Sequence, residues 1–132
     1  MRYFCATGIR EKDAGKKSEE NMDRKRWIGC RGEDIQRGRL AILRAGWAGR
    51  IIDKRQENVG YDWEVHRPNL LTGRWEIERH EVKTKSRRSG GFPALTPNER
   101  KARKKYGREY HVDNVELPPY EEWFYDEFVG RD

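Results

Sequence analysis

The first clear pattern along the chain is a helical spacing of apolar side chains. Between residues 27 and 45, Ile28, Ile35 and Ile42 recur seven residues apart. This spacing places them on one side of an α-helix. Gly46 follows the last apolar position and is typical of a helix end. The pattern therefore predicts an amphipathic helix over residues 27–45.

Apolar and polar residues alternate after this helix, as they do in strands with one buried face. The stretches concerned are residues 47–53, 59–66 and 75–84. A four-residue loop at 70–73 would join the last two as a hairpin, in which paired residues have numbers that sum to 143. This register sets Asp62 opposite Glu81, and it also pairs Glu64 with the oppositely charged Arg79.

A second helix is predicted to begin just after residue 95. Thr96 can cap it, Pro97 suits its first position, and Glu99 completes a capping box. Gly107 is a natural end for this helix, and the apolar positions of residues 109–117 predict one more strand.

The resulting order of elements is helix, three strands, helix and strand. It predicts an α/β domain over residues 27–117, with a central mixed sheet flanked by helices. The composition of residues 1–26 favours a flexible basic arm. Residues 118–132 form an acidic, aromatic tail that we expect to contain a short helix.

The charge of the chain is divided unevenly. The formal net charge is +6, and the segment 116–132 has six acidic residues and one basic residue, which leaves +11 for residues 1–115. A basic body favours a polyanionic partner such as nucleic acid, although a solvated lysine-rich surface has the same composition. The two cysteines form no zinc-binding spacing, and no signal peptide or long apolar run occurs. We therefore expect a soluble, cytoplasmic protein that does not enter a membrane.

Acidic residues and one lysine suggest a metal-dependent reaction. Glu81 and Lys83 are two apart and face the same side of a strand, where the hairpin register adds Asp62. Mg²⁺ prefers carboxylate and carbonyl oxygens, which Asp62, Glu81 and the backbone of Val82 can provide. Lys83 could orient the attacking water or stabilise charge on a phosphate. Glu33, near the start of the first helix, is a candidate outer ligand acting through water.

Some of these assignments have alternatives. Asp53, which closes the stretch 50–53, competes with Asp62 for the role of first carboxylate, and we prefer Asp62 because the hairpin register brings it to Glu81. A Glu-x-Lys pair is a weak signal by itself, since any charged strand can contain one. Thr96 and Glu99 are already explained by helix capping.

Basic side chains downstream of the acidic residues are candidates for contacts with DNA phosphates. Such contacts add affinity that depends on salt but do not read sequence. The candidates lie in the loop after the third strand and on the second helix, and they are Lys85, Arg87, Arg88, Arg103, Lys104 and Lys105.

Taken together, these residues resemble the PD-(D/E)xK nuclease superfamily, and are most similar to its NO VEIN C-terminal-type, restriction-endonuclease-like domains. The resemblance covers residues 28–115. It is carried by Gly32-Glu33, Gly60-Tyr61-Asp62, Glu81-Val82-Lys83-Thr84 and the Leu-Thr-Pro-Asn-Glu stretch at 95–99. Tyr61 stands where the name of the motif has proline.

The resemblance implies a restriction-endonuclease-like core and a Mg²⁺-dependent DNA endonuclease, with Mn²⁺ as an alternative ion. It places Asp62, Glu81 and Lys83 at the motif positions, and it makes a homodimer one option, since members of the superfamily often dimerise to cut two strands. The alternative hypothesis is a non-catalytic module that retains the fold and binds nucleic acid.

Overall fold

The structure, a computed structural model, describes residues 16–88 and 90–130. Its main elements are α1 (Lys16–Leu40), β1 (Arg50–Asp53), β2 (Trp63–Pro68), β3 (Trp75–Lys85), α2 (Pro97–Tyr106), β4 (Tyr110–Glu116) and α3 (Pro119–Phe124). Short π-helical turns, Ala41–Ala45 and Tyr125–Val129, continue α1 and α3. The predicted α/β class is confirmed, and the elements follow one another in the predicted order.

The four strands form one mixed sheet in the order β1-β2-β3-β4. The first two pairings are antiparallel and the pairing of β3 with β4 is parallel, so α2 is the crossover that a parallel pair requires. The predicted hairpin register is confirmed, with Glu64 opposite Arg79. These two side chains have other partners, however: Glu64 accepts a hydrogen bond from the Tyr61 hydroxyl (2.6 Å), and Arg79 contacts Glu109.

The two faces of the sheet are covered by different helices. On one face, α1 packs over a core made of Leu40, Ala45, Trp63, Val65, Val82 and Val115. On the other face, Ala102 of α2 packs with Tyr61 and Tyr110. Because successive strand residues point to opposite faces, Glu81 and Lys83 lie on the α2 side of β3 while Val82 lies on the α1 side.

The first helix differs from the sequence-based prediction at both ends. It begins at Lys16 rather than Trp27, so residues 16–26 of the predicted flexible arm are helical, whereas residues 1–15 lie outside the described residues. At the other end, the π-helical turn changes the helical period, and Ile42 is 80% exposed instead of facing the core. Gly46 ends the helix as predicted, with a positive φ of 62°.

The tail contains the predicted short helix, α3, although residues 131–132 lie outside the described residues. Trp27 of α1 packs with Leu117, Tyr125 and Val129, which flank α3, so the segment 117–129 covers one end of the core. Within the described part of the chain, no helix has both the length and the apolar composition to cross a membrane.

Two glycines of α1 are expected to respond in opposite ways to alanine. A Cβ at Gly32 would lie 2.6 Å from the Thr84 Cβ, whereas a Cβ at Gly38 would meet nothing within 4 Å. Gly32→Ala should therefore lower the free energy of unfolding by about 1–3 kcal/mol, and Gly38→Ala should raise it by about 0.5–1 kcal/mol through helix propensity. Denaturant unfolding of both variants tests this packing, and equal effects at the two positions would contradict it.

Candidate active site

Asp62 and Glu81 meet where β2 begins beside β3. The Asp62 backbone N–H donates to the His80 carbonyl oxygen (2.9 Å), and the Asp62 Oδ2 accepts a hydrogen bond from the Val82 N–H (2.8 Å). The charges of Asp62 and Glu81 interact, since Asp62 contributes, after burial, to the raised pKa of Glu81. Both side chains are less than a tenth exposed. The structure thus brings together the two carboxylates that the hairpin register had placed opposite each other.

Lys83 connects this pair to helix α2. Its Nζ lies 2.6 Å from the Glu99 Oε1 and 3.6 Å from the Glu81 Oε2. Glu99 also accepts a hydrogen bond from the Thr96 N–H (2.9 Å), so the predicted capping box is present. Glu99 therefore has two functions: it caps α2 and anchors the lysine of the site. Sequence reasoning found only the first of these.

Glu33 approaches the same region from α1. It is buried, accepts a hydrogen bond from Arg55 Nη1 (3.1 Å), and is close enough to Asp62 for the two charges to interact. Arg55 also binds Asp53 (2.7 Å). The side chain of Asp53 is 44% exposed and held by Arg55, whereas Asp62 is buried beside Glu81. Of the two candidates for the first carboxylate, Asp62 is therefore the one that is buried beside Glu81.

Burial and mutual repulsion disfavour ionisation of these acids. Burial raises the pKa of Asp62 to about 6, with a further contribution from Glu99. Burial raises the pKa of Glu81 to about 10, and the nearby charges of Asp62 and Glu99 act in the same direction. For Glu33, burial and then Asp62 raise the pKa to about 8. The four acidic side chains thus repel one another in a region shielded from water.

The donor set is suitable for a hard divalent cation. Asp62 and Glu81 offer carboxylate oxygens in one buried region, and Mg²⁺ is usually held by one or two carboxylates together with waters and phosphate. A cation at this position would offset the repulsion. The basic side chains that the described residues place in ion-pair contact with the cluster are Lys83 and Arg55. Two single positive charges therefore face four carboxyl groups, and a divalent cation would offset the repulsion among those that are ionised.

The predicted phosphate-binding residues fall into two groups. Arg103, Lys104 and Lys105 are exposed on α2, the helix that carries Glu99. The predicted residues at the end of β3 and just after it lie close to acidic residues of β4 and α3. Lys85 Nζ is 3.3 Å from the Glu116 carboxylate, and Arg88 Nε is 3.5 Å from that of Glu122.

Arg87 and Arg88 differ from Lys85 in exposure. The backbone N–H of Arg87 donates to the Glu122 Oε1 (3.1 Å), which fixes the loop, and its side chain is exposed. The side chain of Arg88 is 76% exposed despite its ion pair. Both guanidinium groups are therefore accessible to a phosphate, whereas Lys85 is half-buried.

No protein-family model, curated protein or solved structure matches this chain. The structure itself shows an α/β fold with a four-stranded mixed sheet. Any finer assignment of fold and activity depends on the arrangement of the residues described above.

Proposed function

We propose that this protein is a Mg²⁺-dependent DNA endonuclease with a restriction-endonuclease-like core of the PD-(D/E)xK type. The observation that carries the proposal is the convergence of Asp62, Glu81 and Lys83 in one buried cluster at the junction of β2 and β3. Burying carboxylates that are nineteen residues apart in the chain next to each other is unfavourable unless their charge is compensated, and a cation would compensate it.

Each residue of the cluster has a role in this proposal. Asp62 and Glu81 hold the ion, and the backbone carbonyl of Val82 is a candidate third ligand. Bound Mg²⁺ would supply positive charge to the scissile phosphate and lower the pKa of the attacking water. The ammonium group of Lys83, anchored by Glu99 at 2.6 Å, would orient that water or stabilise charge developing on the phosphate oxygens.

Glu33 would act outside the inner ligands. It is held by Arg55 at 3.1 Å and interacts electrostatically with Asp62. A carboxylate fixed in this way can accept a hydrogen bond from a water molecule of the ion, because Mg²⁺ usually keeps several waters. Because Glu33 lies on α1, it approaches the cluster from a different element than the strand residues do.

The nature of the substrate is inferred from charge. The exposed bases Arg103, Lys104 and Lys105 lie on α2, whose first turn carries Glu99 at the acidic cluster. A polyanion lying along this helix would therefore pass close to Lys83. DNA fits this surface because its phosphates repeat along its length, and contacts of this kind do not select a sequence.

The proposal is tested by incubating the protein with labelled duplex, single-stranded and four-way-junction DNA. Each substrate is treated with Mg²⁺, with Mn²⁺ and with EDTA. We expect cleavage with either metal and none with EDTA, and the preferred substrate would define the kind of nuclease. Binding to DNA without cleavage on every substrate would refute the enzyme and favour the non-catalytic nucleic-acid-binding module.

The binding face is tested by removing charge from α2. The triple variant with alanine at Arg103, Lys104 and Lys105 should bind DNA more weakly. The slope of log affinity against log salt should become shallower by up to about 2–3, as phosphate contacts are lost. The matched control, with alanine at the exposed residues Lys25, Arg39 and Arg74, removes the same charge elsewhere. An equal loss of slope in both variants would indicate that net charge, not this face, determines binding.

A further inference from the structure

A second group of metal-ligating side chains lies on the other face of the sheet. Glu78 and His80 of β3 and His111 of β4 each place a ligand atom within 4.8 Å of the other two. Glu78 and His80 are buried and His111 is half-buried. Because residues alternate along β3, this group faces α1, whereas Glu81 faces α2. The group is therefore separate from the acidic cluster and does not depend on its function.

Two of the ligand atoms already have a spacing suited to zinc. The Glu78 Oε1 lies 3.1 Å from the His80 Nε2. Zinc bonds of about 2.0–2.1 Å in a tetrahedral arrangement separate neighbouring ligand atoms by about 3.3 Å. The ring of His111 is stacked on that of His80, with centroids 4.7 Å apart and an angle of 15° between the planes. Rotation of the half-buried His111 side chain would bring its nitrogen to the same ion.

The second nitrogen of His80 is held in the way that metal-binding histidines usually are. His80 Nδ1 lies 2.7 Å from the Asp113 Oδ2, and this carboxylate also accepts a hydrogen bond from the Gln36 side chain (2.9 Å). A carboxylate behind a ligating imidazole fixes its tautomer and its orientation. Here it leaves Nε2 directed toward Glu78. The partner residues come from β4 and α1, so the arrangement is supported from two elements.

Arg44, which pairs with Glu78, leaves room for an ion at this group. Arg44 contacts both carboxylate oxygens of Glu78. The side chain of Arg44 is 45% exposed and can turn toward solvent. A groove of about 380 Å³, lined by residues that include His80, His111 and Asp113, gives access from outside.

We propose that Glu78, His80 and His111 form a Zn²⁺ site, with Asp113 as the residue that positions His80. Two imidazoles and one carboxylate are a donor set that suits Zn²⁺ better than Mg²⁺, which prefers oxygen ligands. Three protein ligands leave a fourth position open toward the groove. The ligand class for this site is therefore a borderline-soft divalent cation.

The experiment is calorimetric titration of the chelator-treated 132-residue protein with Zn²⁺, and the wild type is compared with four variants. The wild type should bind one equivalent at this site, and His111→Ala should weaken that binding by at least about tenfold. Asp113→Asn should weaken it by about 10–100-fold while leaving the three ligands in place. His66→Ala is the matched control, because His66 is also a half-buried strand histidine, paired with Glu64 at 2.6 Å.

Three results would refute the proposed Zn²⁺ site. These are no Zn²⁺ binding by the wild type, wild-type affinity in His111→Ala, or the same loss in His66→Ala. A loss of Zn²⁺ binding in Glu81→Gln would assign the ion to the acidic cluster instead. The visible absorption of bound Co²⁺, which reports its ligands, should change in His111→Ala and remain the same in His66→Ala.

Discussion

Lys83→Met is expected to lower the rate of Mg²⁺-dependent DNA cleavage by about 10²–10³-fold, the typical cost of removing one preorganised group that stabilises charge in a transition state. Methionine keeps the length and the apolar stem of the side chain but removes the ammonium group. In the wild type this group lies between Glu99 and Glu81, at 2.6 and 3.6 Å. Single-turnover cleavage at saturating protein measures the effect without a contribution from DNA affinity.

The control for this variant is Lys101→Met, at an exposed position on α2. It removes the same charge and should cleave within a few-fold of the wild-type rate. DNA affinity and the circular dichroism spectrum of Lys83→Met should stay close to those of the wild type. Cleavage by Lys83→Met at the wild-type rate would exclude Lys83 from the reaction, and loss of folding would show that the lysine serves mainly to neutralise Glu99.

The convergence of Asp62 with Glu81 could be predicted from the sequence because it depends on local rules. Strand residues alternate between faces, and the length of a hairpin loop fixes which residues pair. Once the loop at 70–73 is recognised, the position of Asp62 follows without any knowledge of the rest of the fold. The capping box of α2 is local in the same sense, and it too is present in the structure.

Contacts that depend on packing between elements could not be predicted in this way. Glu99 meets Lys83 because α2 crosses over β3, and neither the spacing nor the composition of α2 specifies where that crossing occurs. His80 meets His111 through the parallel register of β3 and β4. This register depends on a crossover connection, whereas a short hairpin loop would have fixed it.

The exposure of Ile42 has a related cause. A seven-residue spacing indicates a continuous apolar stripe only if the helix keeps its α-helical period. The π-helical turn Ala41–Ala45 has a wider period, so Ala45 is buried while Ile42 and Leu43 are exposed. No residue in this stretch marks such a turn in the sequence, because alanine, isoleucine and leucine are all compatible with an ordinary helix.

Glu81→Gln is expected to stabilise the metal-free protein at neutral pH while it abolishes cleavage. Burial and the charges of Asp62 and Glu99 raise the pKa of Glu81 to about 10 in the folded state, compared with about 4.3 for an unperturbed glutamate. The folded state therefore binds more protons than the unfolded state between these values. As a consequence, the free energy of unfolding falls as the pH rises through this range.

Glutamine is neutral at every pH and keeps the size of the side chain, so this variant lacks the loss of stability that the raised pKa of Glu81 causes. The free energy of unfolding at pH 7 should be higher than that of the wild type by about 1–3 kcal/mol, because each pKa unit corresponds to about 1.4 kcal/mol. Its decrease with rising pH should also be less steep. Denaturant unfolding between pH 5 and 9, in the presence of EDTA, measures both quantities.

Mg²⁺ should reverse this order of stability. An ion that binds the folded state alone stabilises it in proportion to the logarithm of its concentration over the dissociation constant. The melting temperature of the wild type should therefore rise with Mg²⁺, and that of Glu81→Gln should rise much less. Glu76→Gln, at an exposed position of the same strand, should respond as the wild type does. A Glu81→Gln variant that is less stable than the wild type without metal would identify Glu81 as an ionised, structural partner of Lys83. The unfavourable repulsion in the acidic cluster, and with it the main argument for a cation there, would then be wrong.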